Sequence, residues 1–243
     1  MRIRIFQTAD SVARALARDV ARAAARKPAL VVGLPTGRTP IPLYHELVRL
    51  SRDGRLDLSR ARTFNLDEFL GVAARDPRSY HAFMRAHLFR HLNLPRGRTH
   101  VLNGAARDLA RECARYERAI ARAGGIDLQI LGLGVNGHIG FNEPARALVA
   151  DTHRTRLRPA TRRANAPLFG GRAGAVPREA LSMGMATILR ARRIVLVATG
   201  AAKARVVARM VKGLVTPRLP ASFLQLHPNA EVWLDRAAAA RLD

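Results

Sequence analysis

The stretch LGLGVNGHIGFNEP, residues 131–144, places a histidine and a carboxylate just beyond a run of apolar residues. His138 and Glu143 lie five positions apart, and the surrounding glycines allow the backbone to approach a ligand closely. A histidine beside a carboxylate can give and take protons near neutral pH. A lone histidine more often has a structural role, but this glycine-rich setting at a strand exit favours acid/base chemistry.

A second candidate is the acidic pair Asp67 and Glu68 in NLDEFLG. Adjacent residues of an extended chain point to opposite faces, so one carboxylate can face a cleft while the other lies elsewhere. The pair could supply a general base, a metal ligand or a helix cap. A metal is the weaker alternative, since the neighbouring residues contain no His or Cys at ligand spacing.

Two further stretches could bind an anion. GLPTGRTP, residues 33–40, is either an anion-binding turn before a helix or an ordinary turn with a threonine N-cap, and its composition favours neither. Lys203 lies in the predicted first turn of a helix, where its charge is unfavourable unless an anion sits nearby. It is one of only three lysines in an arginine-rich chain, which suggests a role that arginine would not serve.

The elements that must position these residues follow from the alternation of short apolar runs with longer amphipathic ones. This pattern predicts one α/β domain over residues 1–243, with a mostly parallel, doubly wound, Rossmann-like sheet and helices on both faces. The predicted strands are 3–6, 29–34, 62–69, 100–103, 126–134, 194–199 and 231–235. The predicted helices are 9–26, 40–52, 77–91, 106–123, 177–189 and 201–212.

Parallel sheets bind ligands at the carboxyl ends of their strands. The loops after residues 34, 69, 134 and 199 should therefore form one site, which suits a sugar-phosphate-like substrate and proton transfer. The segment 144–176 breaks the pattern, because it is long, basic and rich in Gly and Pro. We expect it to form a mobile lid.

The net charge of +24 could indicate nucleic-acid binding. The arginines are spread along nearly every predicted helix among alanines, however, so we interpret them as solvated helix faces and expect no specific nucleic-acid partner. The N-terminus lacks a signal pattern and the apolar runs are too short for a membrane span. With one cysteine, Cys113, interpreted as a packing residue, these features indicate a cytoplasmic protein.

Several motifs together resemble the glucosamine-6-phosphate deaminases, within the wider group that also holds 6-phosphogluconolactonases. The resemblance covers nearly the whole chain. It is carried by GLPTGRTPIPLYHELV, TFNLDEFLGV, RSYHAFM, LGLGVNGHIGFNEPA, TRRANAPLF, VPREALSMGMATIL and FLQLHPNAEVWLD. The FNE that follows the histidine motif fits the deaminase branch better than the lactonases.

The resemblance implies conversion of glucosamine 6-phosphate and water to fructose 6-phosphate and ammonia, without metal or organic cofactor. It implies that His138 opens the sugar ring, supported by Glu143, and that Asp67 moves a proton from C2 to C1. The implied phosphate site comprises Thr36, Gly37, Arg38, Thr39, Arg162 and Lys203.

Three features depart from the family pattern. Asn136 stands where many members have an aspartate partner of the histidine, so it can orient the ring but stabilises an imidazolium less well. Arg38 replaces a residue that is more often small. The short end RAAAARLD resembles members without allosteric activation, while the choice between monomer and homo-oligomer stays open.

Three rival functions remain at this point. They are a lactonase, a deaminase for galactosamine 6-phosphate, and a sugar-phosphate sensor attached to a DNA-binding module. The sensor is disfavoured because the chain shows no helix-turn-helix extension and retains Asp67, His138 and Glu143.

Overall fold

The computed structural model describes residues 1–242. Its strands are β1 Arg2–Phe6, β2 Val31–Leu34, β3 Arg62–Asn65, β4 Asp67–Phe69, β5 Thr99–His100, β6 Leu128–Gly132, β7 His153–Arg156, β8 Glu179–Ser182, β9 Arg193–Ala198 and β10 Ala230–Asp235. Its α-helices are α1 Ala9–Arg26, α2 Ile41–Arg52, α3 Tyr80–His87, α4 Leu109–Arg122, α5 Pro159–Asn165, α6 Met185–Leu189, α7 Ala204–Lys212 and α8 Arg236–Ala239. A 3₁₀ turn, Ala201–Lys203, precedes α7.

The main sheet has seven strands in the order β1-β10-β9-β6-β2-β3-β5, and all its pairings are parallel. Alternate residues of its strands face two separate cores. Val32, Ile130 and Trp233 pack with α1, α2 and α3, whereas Val31 and Leu131 pack with α4, α7 and α8. The prediction of a mostly parallel sheet covered on both faces is confirmed.

The chain reverses its direction of winding next to β2. From β2 it proceeds to β3 and β5 on one side, and it then returns to β6 on the other side of β2. The loops that leave β2 and β6 therefore diverge above the sheet and open a crevice between them. This topology fixes the place where a ligand can enter.

A second, three-stranded antiparallel sheet has the order β4-β8-β7. The prediction of one continuous strand over 62–69 is therefore wrong. The chain changes sheets at Leu66, whose carbonyl accepts a hydrogen bond from Met183 N–H at 2.7 Å. Asp67 then pairs with Ser182 in the small sheet.

The prediction of a helix over 177–189 is also wrong in its first half. Residues Glu179–Ser182 form β8, because backbone pairing with strands on both sides outweighs the local helical pattern. Only Met185–Leu189 is helical. The segment 144–176, expected to form a mobile lid, contains β7 and α5 and packs through Leu157 and Phe169 into a small apolar core.

Helix α1 illustrates the distribution of charge. Arg14, Arg18, Arg22 and Arg26 recur every four residues on its exposed face, while Leu16 and Val20 are buried. This agrees with solvated helix faces. Cys113 is half-buried against the core on the α4 side. No helix within residues 1–242 is long and apolar enough to cross a membrane.

Candidate functional site

A cleft of about 510 Å³ opens at the carboxyl ends of β2, β3, β6 and β9, at the reversal of winding. Loops after all four strands contribute to it, as the sequence predicts. The polar side chains that line it are Thr36, Arg38, Thr39, Asp67, Tyr80, His138, Thr161, Asn165, Thr199 and Lys203. It thus combines a carboxyl group, an imidazole and two cationic groups.

Asp67 is the carboxyl group in this cleft, and it is only 6% exposed. Burial, reinforced by the neighbouring charge of Glu68, raises its pKa to about 8, although a hydrogen bond with the Thr36 side chain opposes the increase. A carboxyl group with a pKa near neutral is suited to accept a proton from carbon and return it. Within residues 1–242, no group of three or more His, Cys, Asp or Glu side chains could hold a metal ion.

Glu68 faces away from the cleft, as strand alternation predicts. Its carboxylate accepts hydrogen bonds from the backbone N–H groups of Phe69 at 2.9 Å and of Tyr80 and His81 at 3.0 Å. The last two belong to the first turn of α3, where a negative charge is favourable. Glu68 is therefore a second cap of α3 beside Ser79, whose side chain accepts from Ala82 N–H, and it joins this helix, with Tyr80, to the strand carrying Asp67.

Removal of this cap should destabilise the fold. Glu68→Ala leaves three N–H groups without their acceptor, and we expect a loss of about 3 kcal/mol in the free energy of unfolding measured in urea. Glu179→Ala is the control, because that carboxylate forms a surface pair with Arg154 and should contribute less than about 1 kcal/mol. Equal losses in the two variants would contradict the capping role.

His138 and Glu143 form the second chemical unit. His138 Nδ1 lies 3.6 Å from Glu143 Oε2, and Asn136 Nδ2 donates to the same oxygen at 2.7 Å. Burial opposes ionisation of Glu143, but its interactions with His138, the Thr161 side chain and the Arg158 N–H lower its pKa to about 2. Glu143 is therefore a permanent carboxylate behind the histidine, and Asn136 holds it in place.

Gly134 makes room for the imidazole. A Cβ on Gly134 would lie 2.4 Å from His138 Cε1, so any larger residue must displace the ring. We expect Gly134→Ala to lower kcat about 10-fold through misplacement of His138. Gly97→Ala is the matched control, since apart from Gly97 and its two chain neighbours no described residue has an atom within 4 Å of its Cβ position. An unchanged kcat in Gly134→Ala would show that the position of this ring is unimportant.

Residues 35–39 of the turn after β2 line the same cleft as the imidazole. Within residues 1–242 no side chain caps α2, which begins after Pro40, so the alternative of a threonine N-cap is excluded. Gly37 has φ +92°, a left-handed conformation that favours glycine. The hydroxyl of Thr36 instead reaches Asp67. The turn is thus free to present its backbone and Arg38 to an anion.

Lys203 lies at the start of α7 and lines the same cleft, where its Nζ donates to the Leu133 carbonyl at 2.6 Å. Burial, together with the nearby positive charge of Arg38, lowers its pKa. Two cationic groups face one cavity here, which an anionic ligand would stabilise. Arg162 lies elsewhere, because its guanidinium donates to the carbonyls of Gly174 at 3.0 Å and Val176 at 3.1 Å. A place in the phosphate site would require exchange of these bonds.

Besides Thr199, which lies in one of the predicted loops, three polar residues of the cleft were missed by the sequence reasoning: Tyr80, Thr161 and Asn165. Tyr80 donates to Asn165 Oδ1 at 3.2 Å, which ties α3 to α5. The stretches RSYHAFM and TRRANAPLF that hold them were noticed only for their resemblance. The composition of these two stretches does not distinguish them from the N-terminal regions of ordinary helices.

The cleft where the winding of the parallel sheet reverses holds Asp67 and His138, which can exchange protons, and the cationic groups of Arg38 and Lys203. These features define an α/β protein with a site for a small anionic ligand. Residues 6–233 match the family model described as glucosamine-6-phosphate isomerases/6-phosphogluconolactonase. The chain therefore belongs to this family.

Individual relatives refine the comparison. A glucosamine-6-phosphate deaminase of Halothermothrix orenii is 46% identical over 242 residues, which cover 100% of both chains. The solved structure of a monomeric glucosamine-6-phosphate deaminase has a TM-score of 0.96 and 40% identity, and covers 99% of this chain and 100% of that one. A 6-phosphogluconolactonase from Trypanosoma brucei shares the fold, with a TM-score of 0.75, 20% identity and coverage of 100% and 98%.

Proposed function

We propose that the protein converts glucosamine 6-phosphate and water to fructose 6-phosphate and ammonia. The observation that carries this proposal is the placement of Asp67 and His138 in one cleft with Arg38 and Lys203. Proton donors and acceptors for the sugar carbons thus lie beside cationic groups for the phosphate. The full-length similarity to deaminases at 40% identity or more supports the same reaction.

The phosphate would bind to the turn formed by Thr36, Gly37, Arg38 and Thr39, with Lys203 as a second cationic group near Arg38. Backbone N–H groups and a guanidinium fork are suited to phosphate oxygens. Interactions with this remote group can be used to orient the reacting carbons. Arg162 would join the phosphate only after leaving the carbonyls of Gly174 and Val176.

Ring opening would be the task of His138. Its Nδ1 faces Glu143 at 3.6 Å, so Nε2 is the nitrogen available to the sugar. It would take the proton of the anomeric hydroxyl and deliver one to the ring oxygen, which breaks the bond between C1 and that oxygen. Glu143 and Asn136 would maintain the orientation of the imidazole during this transfer.

Asp67 would perform the isomerisation. As a carboxylate it would remove the C2 proton from the open-chain amino sugar and return that proton to C1, while one proton of the sugar's ammonium group passes to the C1 oxygen, which becomes a hydroxyl. The nitrogen then forms an imine with C2, water adds to C2, and ammonia leaves as the C2 carbonyl forms. A buried carboxylate retains the transferred proton better than an exposed one.

The test is ammonia release from glucosamine 6-phosphate, compared with galactosamine 6-phosphate and 6-phosphogluconolactone. We expect ammonia from the first sugar at the highest kcat/KM, with fructose 6-phosphate as product. Lactone hydrolysis without ammonia would replace this function with that of the lactonase branch. Tight binding of sugar phosphates without turnover would indicate a sensor.

A further inference from the structure

Helix α5 contacts His138, the partner of Glu143, directly through Thr161. This side chain is 1% exposed, and its Oγ1 lies 3.3 Å from His138 Nδ1. The Glu143 carboxylate is farther from the same nitrogen, at 3.6 Å, which is long for a hydrogen bond. Thr161 is therefore the nearer partner of the imidazole.

The direction of the hydrogen bonds follows from the chemistry of the three groups. The Glu143 carboxylate, whose Oε2 lies 3.6 Å from Nδ1, can only accept, so a lone pair on Nδ1 would face a negative charge and a proton there is favoured. The oxygen of Thr161 then offers its lone pair to Nδ1, which must carry a proton. This arrangement leaves Nε2 without a proton in the neutral ring.

Three hydrogen bonds hold α5 in place beside His138. The backbone N–H of Arg158, just before the helix, donates to Glu143 Oε1 at 3.0 Å. Asn165 closes the helix by donating to the Thr161 carbonyl at 2.9 Å and by accepting from Tyr80. The position of Thr161 is thus fixed from both ends of α5.

We propose that Thr161 is a positioning residue that selects the Nδ1-protonated tautomer of His138 and presents Nε2 as the proton acceptor for ring opening. The proposal rests on the function proposed above and assigns to helix α5 a part in positioning the imidazole.

The test compares Thr161→Val, which removes the hydroxyl at nearly constant volume, with Thr161→Ser, which retains it. We expect kcat to fall about 10-fold in the valine variant with KM changed much less, and the serine variant to stay close to the original enzyme. Thr152→Val is the matched control, because Thr152 is also buried and donates to a glutamate, Glu117, at 2.6 Å outside the cleft.

The tautomer itself is measured by ¹⁵N NMR of the histidine rings, with the His138 signals assigned by their loss in His138→Gln. We expect Nδ1 to be protonated in the original enzyme and in Thr161→Ser, and a mixture of tautomers in Thr161→Val. This measurement needs no substrate, so it tests the role of Thr161 even if the protein released no ammonia.

Three outcomes would overturn the proposal. They are an unchanged tautomer in Thr161→Val, an equal loss of kcat in the serine variant, or an equal loss in Thr152→Val. If the valine variant does not fold, Thr161→Ala supplies the same comparison with the hydroxyl removed and no new methyl contact. Failure of the proposed function, by contrast, would appear as an absence of ammonia in the unmodified enzyme.

Discussion

Asp67→Asn should lower kcat for ammonia release from glucosamine 6-phosphate by about 10³-fold, because an amide cannot accept the C2 proton. The substrate should still bind, since the amide occupies the same volume as the carboxyl group and the cationic groups Arg38 and Lys203 are unchanged. Binding is measured as protection from thermal unfolding by glucosamine 6-phosphate. Asp10→Asn, which changes an exposed carboxyl group in the first turn of α1, is the control.

The pH dependence offers a separate check on Asp67. Its raised pKa, about 8, means that the free enzyme gains the required carboxylate only as the pH approaches that value. The ratio kcat/KM reports ionisations of the free enzyme, so it should increase with pH and level off above about 8. A flat profile between pH 6 and 9 would contradict the role of Asp67 as base.

The melting temperature of Asp67→Asn as a function of pH shows whether this variant is inactive because it lacks the base or because it is misfolded. The folded-state pKa of Asp67 is above its unfolded value of 3.8, so its contribution to stability is fully present below that value. The contribution is lost as the pH rises through about 8. The amide introduced by Asp67→Asn does not ionise, so the variant should gain Tm relative to the original protein as the pH rises. An inactive variant with a lower Tm at pH 8 would instead indicate misfolding.

The sequence was sufficient for the main sheet and for much of the cleft. Apolar runs such as those of β6 and β9 are buried on both faces, and this pattern is independent of which strands are neighbours. Because loops after parallel strands must converge on one edge, the meeting of Asp67, His138 and Lys203 could be predicted. Their chemical types then indicated an acid/base site for an anion.

The second sheet could not be predicted, because its existence depends on contacts between distant segments. The run RTFNLDEF has the pattern of one strand whether or not it changes partners at Leu66. Residues 179–182 become a strand only because β4 and β7 flank them. Thr161 was missed for the same reason, because its role depends on its contact with His138, which lies 23 residues away in the sequence, and its neighbours in sequence do not reveal that contact.

Lys203→Ala should raise KM for glucosamine 6-phosphate about 100-fold, with a smaller effect on kcat. A hydrogen bond to a charged group contributes about 1.5–3 kcal/mol, and each 1.4 kcal/mol corresponds to about a factor of ten in affinity. Lys203 lies at the end of the cleft where Arg38 is the other cationic group. Loss of one of two charges should therefore weaken phosphate binding without removing it.

Lys203→Arg should not restore the affinity. The ammonium group of Lys203 fits between the Leu133 carbonyl and the cleft, and a planar guanidinium needs more space and a different set of acceptors. This would explain a lysine in a chain whose cationic residues are almost all arginine. Lys212→Ala, at the far end of the same helix, is the matched control and should leave KM unchanged.

Whether Lys203→Ala impairs phosphate binding in particular can be tested by changing the substrate as well as the enzyme. Glucosamine without its phosphate cannot use Lys203, so Lys203→Ala and the original enzyme should convert it with the same kcat/KM. Inorganic phosphate should inhibit the original enzyme, and its inhibition constant should rise in the variant in parallel with KM. If kcat/KM fell by the same factor for glucosamine and for glucosamine 6-phosphate, the role of Lys203 would be to support the chain after β6 through the Leu133 carbonyl. The 36–39 turn would then bind the phosphate without Lys203.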